Sequence, residues 1–246
     1  MNVQPVKTRV VNPPKDDLFA VLDESIVDLR DGDVLVVTSK VVAIHQGRCV
    51  RDEGQDIKEL AEREADAYVR AELPGAWGLF VKEHAILANA GIDRSNAHGY
   101  FVLLPERPSE TAREIRRFLT QKFKLSRLGV VISDSHSIPF HLGTMGVAIG
   151  LSGFHPVRRL IGTPDLFGRL LKFTRIDVVD SLAAAGTFAI GEAAEQTPLA
   201  IVRNAPHLDF TDEPTESEML IPPEQDIYYP LLKPLYEKSK KKKERR

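Results

Sequence analysis

The chain is poor in the features that would place it in a specialised environment. It has one cysteine, Cys49, in 246 residues. No internal disulfide can form, and a reducing compartment is the expected setting. A buried filler is the expected role for that thiol. No apolar run approaches the roughly 18 residues that a membrane helix needs, and the opening MNVQPVKTRV lacks the apolar core of a secretory signal. The expected location is the cytoplasm. Neither sign of charge dominates: 33 Lys and Arg against 35 Asp and Glu leave a net charge of -2. That balance gives no general attraction for nucleic acid or acidic membranes. The exception is the basic run Lys238–Arg246, which reads as a solvated, disordered tail, so neither a nucleic acid nor a membrane is an expected partner.

Several catalytic patterns are also missing. Phosphate loops of the Gly-x4-Gly-Lys-Ser/Thr and Gly-x-Gly-x-x-Gly kinds are absent, so a bound nucleotide must be held by another device. His136, His141 and His155 do not have zinc spacing and are expected at the surface or at a substrate edge. No Ser-His-Asp or Cys-His set suggests a nucleophilic side chain.

What remains is an ordinary globular composition, 43% hydrophobic and 28% charged, with length enough for a real core. Asp16-Asp17 predicts a cap for a helix carrying Leu18, Val21 and Leu22. Val34–Val37 is apolar without alternation, which predicts a strand covered on both faces. Apolar spacing predicts a helix over 56–71, ended by Leu73-Pro74-Gly75. Strands are expected at 81–88 and 100–104. A helix over 111–123 is expected to be capped by Ser109, and a strand at 128–132 to end on a Ser133-Asp134-Ser135 turn. Glycines at 143, 146, 150 and 153 suggest a backbone packed against a neighbour or ligand. An alanine-rich helix over 176–190, closed by Gly191, and a strand at 198–202 complete the pattern. Beyond Asp209, order is expected only in a short helix at 228–235. The irregular alternation predicts an α+β, or mixed α/β, fold.

Three segments place small oxygen-bearing side chains where strands or helices end: Asp93 to Asn96, Ser133 to Ser135, and Gly191-Glu192. An all-oxygen donor set selects Mg²⁺ or Mn²⁺ over zinc. Taken singly, each Asp is more simply an Asx-turn or a helix cap. Thr38-Ser39-Lys40, at the end of a strand, suits a phosphate.

These segments occur together and in order. Gly32-Asp-Val-Leu-Val-Val-Thr-Ser-Lys40, Gly47-Arg48, Ala88-Asn-Ala-Gly-Ile-Asp93-Arg-Ser-Asn96, Leu104-Pro-Glu, Ile132-Ser-Asp134-Ser, Gly146-Val-Ala-Ile-Gly150, Asp165-x-x-Gly168-Arg169 and Ile190-Gly-Glu192 resemble the coenzyme F-420-0:L-glutamate ligase (gamma-glutamyl ligase) family over about residues 3 to 204. The resemblance implies a GTP-dependent ligase, with ATP as the alternative, that joins a small-molecule acceptor to L-glutamate through an acyl phosphate. It also implies Mg or Mn held by Asp93, Asn96, Asp134, Ser135 and Glu192, with Asp93 and Asp134 catalytic. Ser39, Lys40, Asn96, Gly191 and Glu192 are the implied nucleotide contacts, with the 190–197 loop. The implied subunit has two parts: 1–85 plus 176–210 on the nucleotide side, and an inserted domain at 86–175. A C-terminal extension, 211–246, follows, and the assembly is a homodimer.

The chain departs from the family pattern at Ile44, where a lysine is usual, and at His136 to His141, where two arginines are usual. Arginine is the side chain best shaped for phosphate, so the departure favours a branch acting on folate-type acceptors over the usual coenzyme precursor. The alternatives are a non-catalytic relative that only binds nucleotide, supported by Ile44, and a nucleic-acid binder acting through the basic tail.

Overall fold

The computed structural model describes residues 1–73, 76–82 and 84–243. In chain order the elements are β1 (Asn2–Val6), α1 (Leu18–Ser25), β2 (Asp33–Thr38), α2 (Ser39–His45), β3 (Cys49–Arg51), α3 (Ile57–Glu64), β4 (Ala67–Leu73), β5 (Ala76–Lys82), β6 (Ala85–Ala88), β7 (Tyr100–Val102), α4 (Pro108–Phe123), β8 (Leu128–Ser137), β9 (Thr144–Ser152), β10 (Val157–Arg159), β11 (Arg175–Asp177), α5 (Val178–Ile190), β12 (Leu199–Arg203) and α6 (Tyr229–Lys243). The fold is α+β. Its main sheet has the order β1-β12-β2-β8-β9, with β2 and β8 parallel and the other neighbours antiparallel. A separate sheet, β4-β5-β6, and the pairs β3-β7 and β10-β11 surround it. The main sheet takes β8 and β9 from within residues 86–175: β8 pairs with β2, and β9 with β8.

Helices cover both faces of β2, as its unbroken apolar run requires. Leu35 and Val37 join Leu18, Leu22, Ile115, Leu119, Val130 and Ile132 on the α1/α4 side. Val34 and Val36 join Val131, Phe154, Val179, Leu182 and Ala183 on the α5 side. Gly146 and Gly150 are four apart, a spacing that puts strand residues on one face. They nevertheless serve opposite faces. A Cβ at Gly146 would overlap Thr187 and the Ala183 carbonyl of α5, and one at Gly150 would overlap Pro108 of α4. The switch comes from a bulge: Ile132 pairs with Gly150 and Ser133 with Ala148, so Ile149 is the extra residue. Both glycines therefore face helices.

Several local expectations are corrected. The helix expected over 56–71 ends at Glu64, and Ala67–Leu73 is a strand paired with β5. Ala61, Ala65, Tyr68 and Phe80 share one cluster, so the apolar spacing reflects a common core rather than one helix. The expected break at Pro74-Gly75 lies outside the described residues. The strand expected at 81–88 is divided between β5 and β6, which form a hairpin. Helix α4 starts at Pro108 with Arg107 as its left-handed cap. Pro108 pre-sets the first turn, and Ser109 instead accepts a bond from the Leu151 amide at 3.2 Å. The Ser133–Ser135 segment is strand, not turn, because β8 runs on to Ser137.

The C-terminal extension is ordered well beyond the short helix expected. Thr215 donates to the Phe154 carbonyl at 2.7 Å, Arg113 pairs with Glu216 and His155 with Glu218. Helix α6 then packs Leu235 against Ala67 and Val81. The basic run is helical as far as Lys243, and residues 244–246 lie outside the described residues.

Candidate active site

Strand β2 ends at Thr38, opposite Ser133, and its parallel neighbour β8 runs on to Ser137. Ligands of α/β sheets bind beyond such carboxyl ends. The buried Ser39, first residue of α2, donates to Asp134 Oδ1 at 2.6 Å. The other Asp134 oxygen faces His136 Nε2 at 3.1 Å. His136 is buried, which overturns the surface alternative of the expectation but not the substrate-edge one. Strand residues two apart share a face, and that spacing was the sequence signal for this pair. His141 is exposed, as expected.

Ser133 and Ser135 point the opposite way. Ser133 Oγ accepts from Thr187 Oγ at 3.2 Å, and Ser135 donates to Glu192 Oε1 at 2.5 Å. Glu192 is placed by the end of α5, where Gly191 takes φ +82°. Thr197 Oγ donates to the Ile190 carbonyl at 2.7 Å and closes the base of this loop. Glu195 accepts from the Ala193 amide at 2.8 Å, inside the loop.

The Asp93 segment forms the third wall. Asp93 accepts from the Ser95 amide at 2.7 Å, an Asx-turn. Lys40 Nζ lies 2.6 Å from Asp93 Oδ2 and donates to the Ser95 carbonyl and hydroxyl at 2.8 and 2.9 Å. Burial acts to raise the Asp93 carboxyl, but Lys40 and the Ser95 donors outweigh it and hold the group below the usual carboxylate range. Asn96 donates through Nδ2 to the Ala193 carbonyl at 2.7 Å.

The fold thus brings Asp134 to Ser39, Glu192 to Ser135, Asp93 to Lys40, and Asn96 to the loop bearing Gly191 and Glu192. Among the described residues, no three His, Cys, Asp or Glu side chains converge as a metal cluster. The hydroxyl-bound Asp134 and Glu192, with Ser135, have the hard oxygen chemistry of a Mg²⁺ or Mn²⁺ site; Asp93 is charge-neutralised by Lys40. A cavity of about 370 Å³ lies at the other end of β2, lined by Arg30, Asp33, Arg127 and Arg203, so it is not this site.

An α+β fold with acidic and hydroxyl groups gathered where β2 ends beside β8 defines an enzyme-like site. More particularly, the chain belongs to the F420-0:Gamma-glutamyl ligase family, whose model matches residues 5–204. It is therefore a ligase. It is 36% identical to the coenzyme F420:L-glutamate ligase of Methanopyrus kandleri, over 93% of this chain and 97% of that one. The enzymes of the same name from Methanosarcina mazei and Methanothermobacter thermautotrophicus are 34% and 32% identical, over 76% and 86% of this chain and 80% and 90% of theirs. Among the described residues, no helix is long and apolar enough to cross a membrane.

Proposed function

We propose that the chain joins an acceptor carboxylate to the amine of L-glutamate by an amide bond, driven by GTP, with ATP as the alternative. The acceptor is a coenzyme F-420 precursor or a folate-like molecule ending in a γ-glutamyl carboxylate. A carboxylate oxygen of the acceptor attacks the γ-phosphorus, the bond to the β-phosphate oxygen breaks, and nucleoside diphosphate leaves. The glutamate nitrogen then attacks the acyl carbon, loses a proton and expels phosphate. Chemistry of this kind needs positioning and charge neutralisation more than a protein nucleophile.

One observation carries the reading: where β8 runs past the end of β2, Asp134 is fixed by Ser39 and His136, and the next residue, Ser135, holds Glu192. Asp134, Ser135 and Glu192 would hold a divalent cation, which when bound would neutralise phosphate charge. Ser39 sets the orientation of the Asp134 carboxylate, and Gly191 lets the chain turn to present Glu192. The usual F-420 precursor bears a phosphate, and Ile138 and His141 stand where arginines are usual, which favours the folate-like acceptor.

The test is nucleoside-triphosphate turnover with L-glutamate and a panel of both acceptor types, in Mg²⁺ and in Mn²⁺. Acceptor-stimulated release of diphosphate is expected with at least one member; its absence throughout would sink the ligation reading and leave the non-catalytic, nucleotide-binding one. A homodimer is proposed as well. Leu166, Phe167 and Phe173 between β10 and β11, with Phe140, Leu142 and Phe188, are almost wholly exposed, and large apolar side chains of this kind are what an interface covers. Analytical ultracentrifugation showing a monomer at micromolar concentration would refute it.

A further inference from the structure

We propose that Asn96 is a positioning residue, a clasp that holds the Glu192 loop shut against the Asp93 loop before any ligand arrives. This rests on the reading of Glu192 as part of the active site. Three observations carry it. Asn96 reaches across 97 positions in sequence and donates its Nδ2 to the Ala193 carbonyl at 2.7 Å, the peptide next to Glu192. Its backbone is left-handed, φ +51°, a conformation that asparagine tolerates better than most residues, so the amide is aimed by the turn itself. The turn is held in place from below. The three N–H groups of the Lys40 ammonium are met by Asp93 Oδ2, the Ser95 carbonyl and the Ser95 hydroxyl, at 2.6, 2.8 and 2.9 Å.

Lys40 belongs to α2, immediately after Ser39, which fixes Asp134. The same helix start therefore orients the Asp134 carboxylate directly and, through Ser95 and Asn96, holds the loop carrying Glu192. Donation through Nδ2 makes Asn96 act on Glu192 through the peptide of Ala193. It is a different role from a direct cation ligand, which would bind through Oδ1.

Asn96→Asp separates the two roles. The substitution keeps an oxygen for a cation but replaces the donor with an anion facing a carbonyl. Asn96→Ala removes both, and the side chain is exposed, so neither change disturbs the core. Hydrogen exchange would be followed at the amides of residues 192–197 in the full chain, free of cation and nucleotide. Both variants are expected to exchange about two- to tenfold faster than wild type there, the size of one modest hydrogen bond. Amides of β2 and β8 should keep their rates. Unchanged exchange at 192–197 would overturn the clasp. Mn²⁺ titration followed by electron paramagnetic resonance gives a second reading: weaker binding by Asn96→Asp is expected, and equal or tighter binding would assign Asn96 as a direct ligand instead. Failure of the wild-type protein to bind Mn²⁺ would count against the cation site of the proposed function, and the exchange rates alone would then decide the clasp.

Discussion

At one end of the parallel pair β2–β8, Asp31 and Asp33 meet arginines; at the other, Asp134 and Glu192 meet hydroxyls, and only Asp93 has a cation, Lys40, beside it. Asp33, buried at the start of β2, receives Arg203 Nε at 2.9 Å and Nη2 at 2.8 Å. Asp31 beside it takes Arg127 Nε at 2.8 Å and two backbone amides, and those donors, Arg127 foremost, hold its carboxyl below the usual range. At the far end Asp134 is met by Ser39 and His136, and Glu192 by Ser135. A guanidinium fork cancels a carboxylate's charge and fills its lone pairs. A hydroxyl orients a carboxylate and leaves its charge in place. The first arrangement closes the sheet, whereas the second leaves anionic oxygens for a ligand. Acidic residues alone do not separate the two ends; their partners do.

The largest effect that would break this comparison is catalytic. Asp134→Asn should lower acceptor-dependent turnover by about a hundred- to a thousandfold, the scale of losing one key electrostatic group, with the melting temperature near wild type. Turnover near the wild-type rate would refute the site. At the opposite end the outcome should invert. Asp33→Asn leaves Arg203 facing a neutral group in a buried position and should cost roughly 3 kcal/mol of stability in urea denaturation. Turnover per folded molecule should hold, and a loss of turnover without a loss of stability would contradict the division.

A smaller, pH-dependent effect concerns the β9 bulge between the two ends. Asp180 accepts from the Ala148 amide at 2.7 Å, and its carboxyl is pushed up to about 6, by burial first and then by the charge of Asp177. The folded-state pKa lies above the ordinary 3.8. The stabilising contribution of the proton is therefore complete below about pH 4 and lost as pH rises through about 6. Asp180→Asn retains an oxygen for the Ala148 amide and removes the charge. At pH 8 it should raise the melting temperature by about 2–4 °C, allowing for solvent screening of a half-buried group, and the gain should vanish by pH 4. Thermal melts at both values check it, and a gain that persists at pH 4 would count against burial as the cause. The smallest change is expected from Arg127→Ala on the exposed rim of the arginine end: no change in turnover and a slight fall in melting temperature.

Much of the scaffold was legible in the sequence. Asp17 caps α1, accepting from the Phe19 amide. The unbroken apolar run of β2 lies between two helical layers, and α5 ends at Gly191. The errors share a cause. Ala61, Ala65 and Tyr68 were spaced for a helix face, yet the chain changes from helix to strand between them, since a shared core imposes apolar residues whatever the local geometry. Ser133-Asp134-Ser135 was expected as a turn because small polar residues are common in turns. Pairing with β9 carries the strand through them. The burial of His136 was hidden for the same reason, since its partner Asp134 becomes visible only once residues 134 and 136 are known to lie on a strand.

By itself the sequence determined which segments carry oxygen donors, where α1 begins and where α4 and α5 end, and, through the order of its motifs, the family. Those are properties of neighbouring residues, and periodicity and capping act over a few positions. The tertiary structure alone decided which donors meet. Ser39 is 95 positions from Asp134, Ser135 is 57 from Glu192, and Asn96 is 97 from Ala193. Contacts over such distances depend on the parallel pairing of β2 with β8 and on the packing of α5 across them, and no local pattern encodes either.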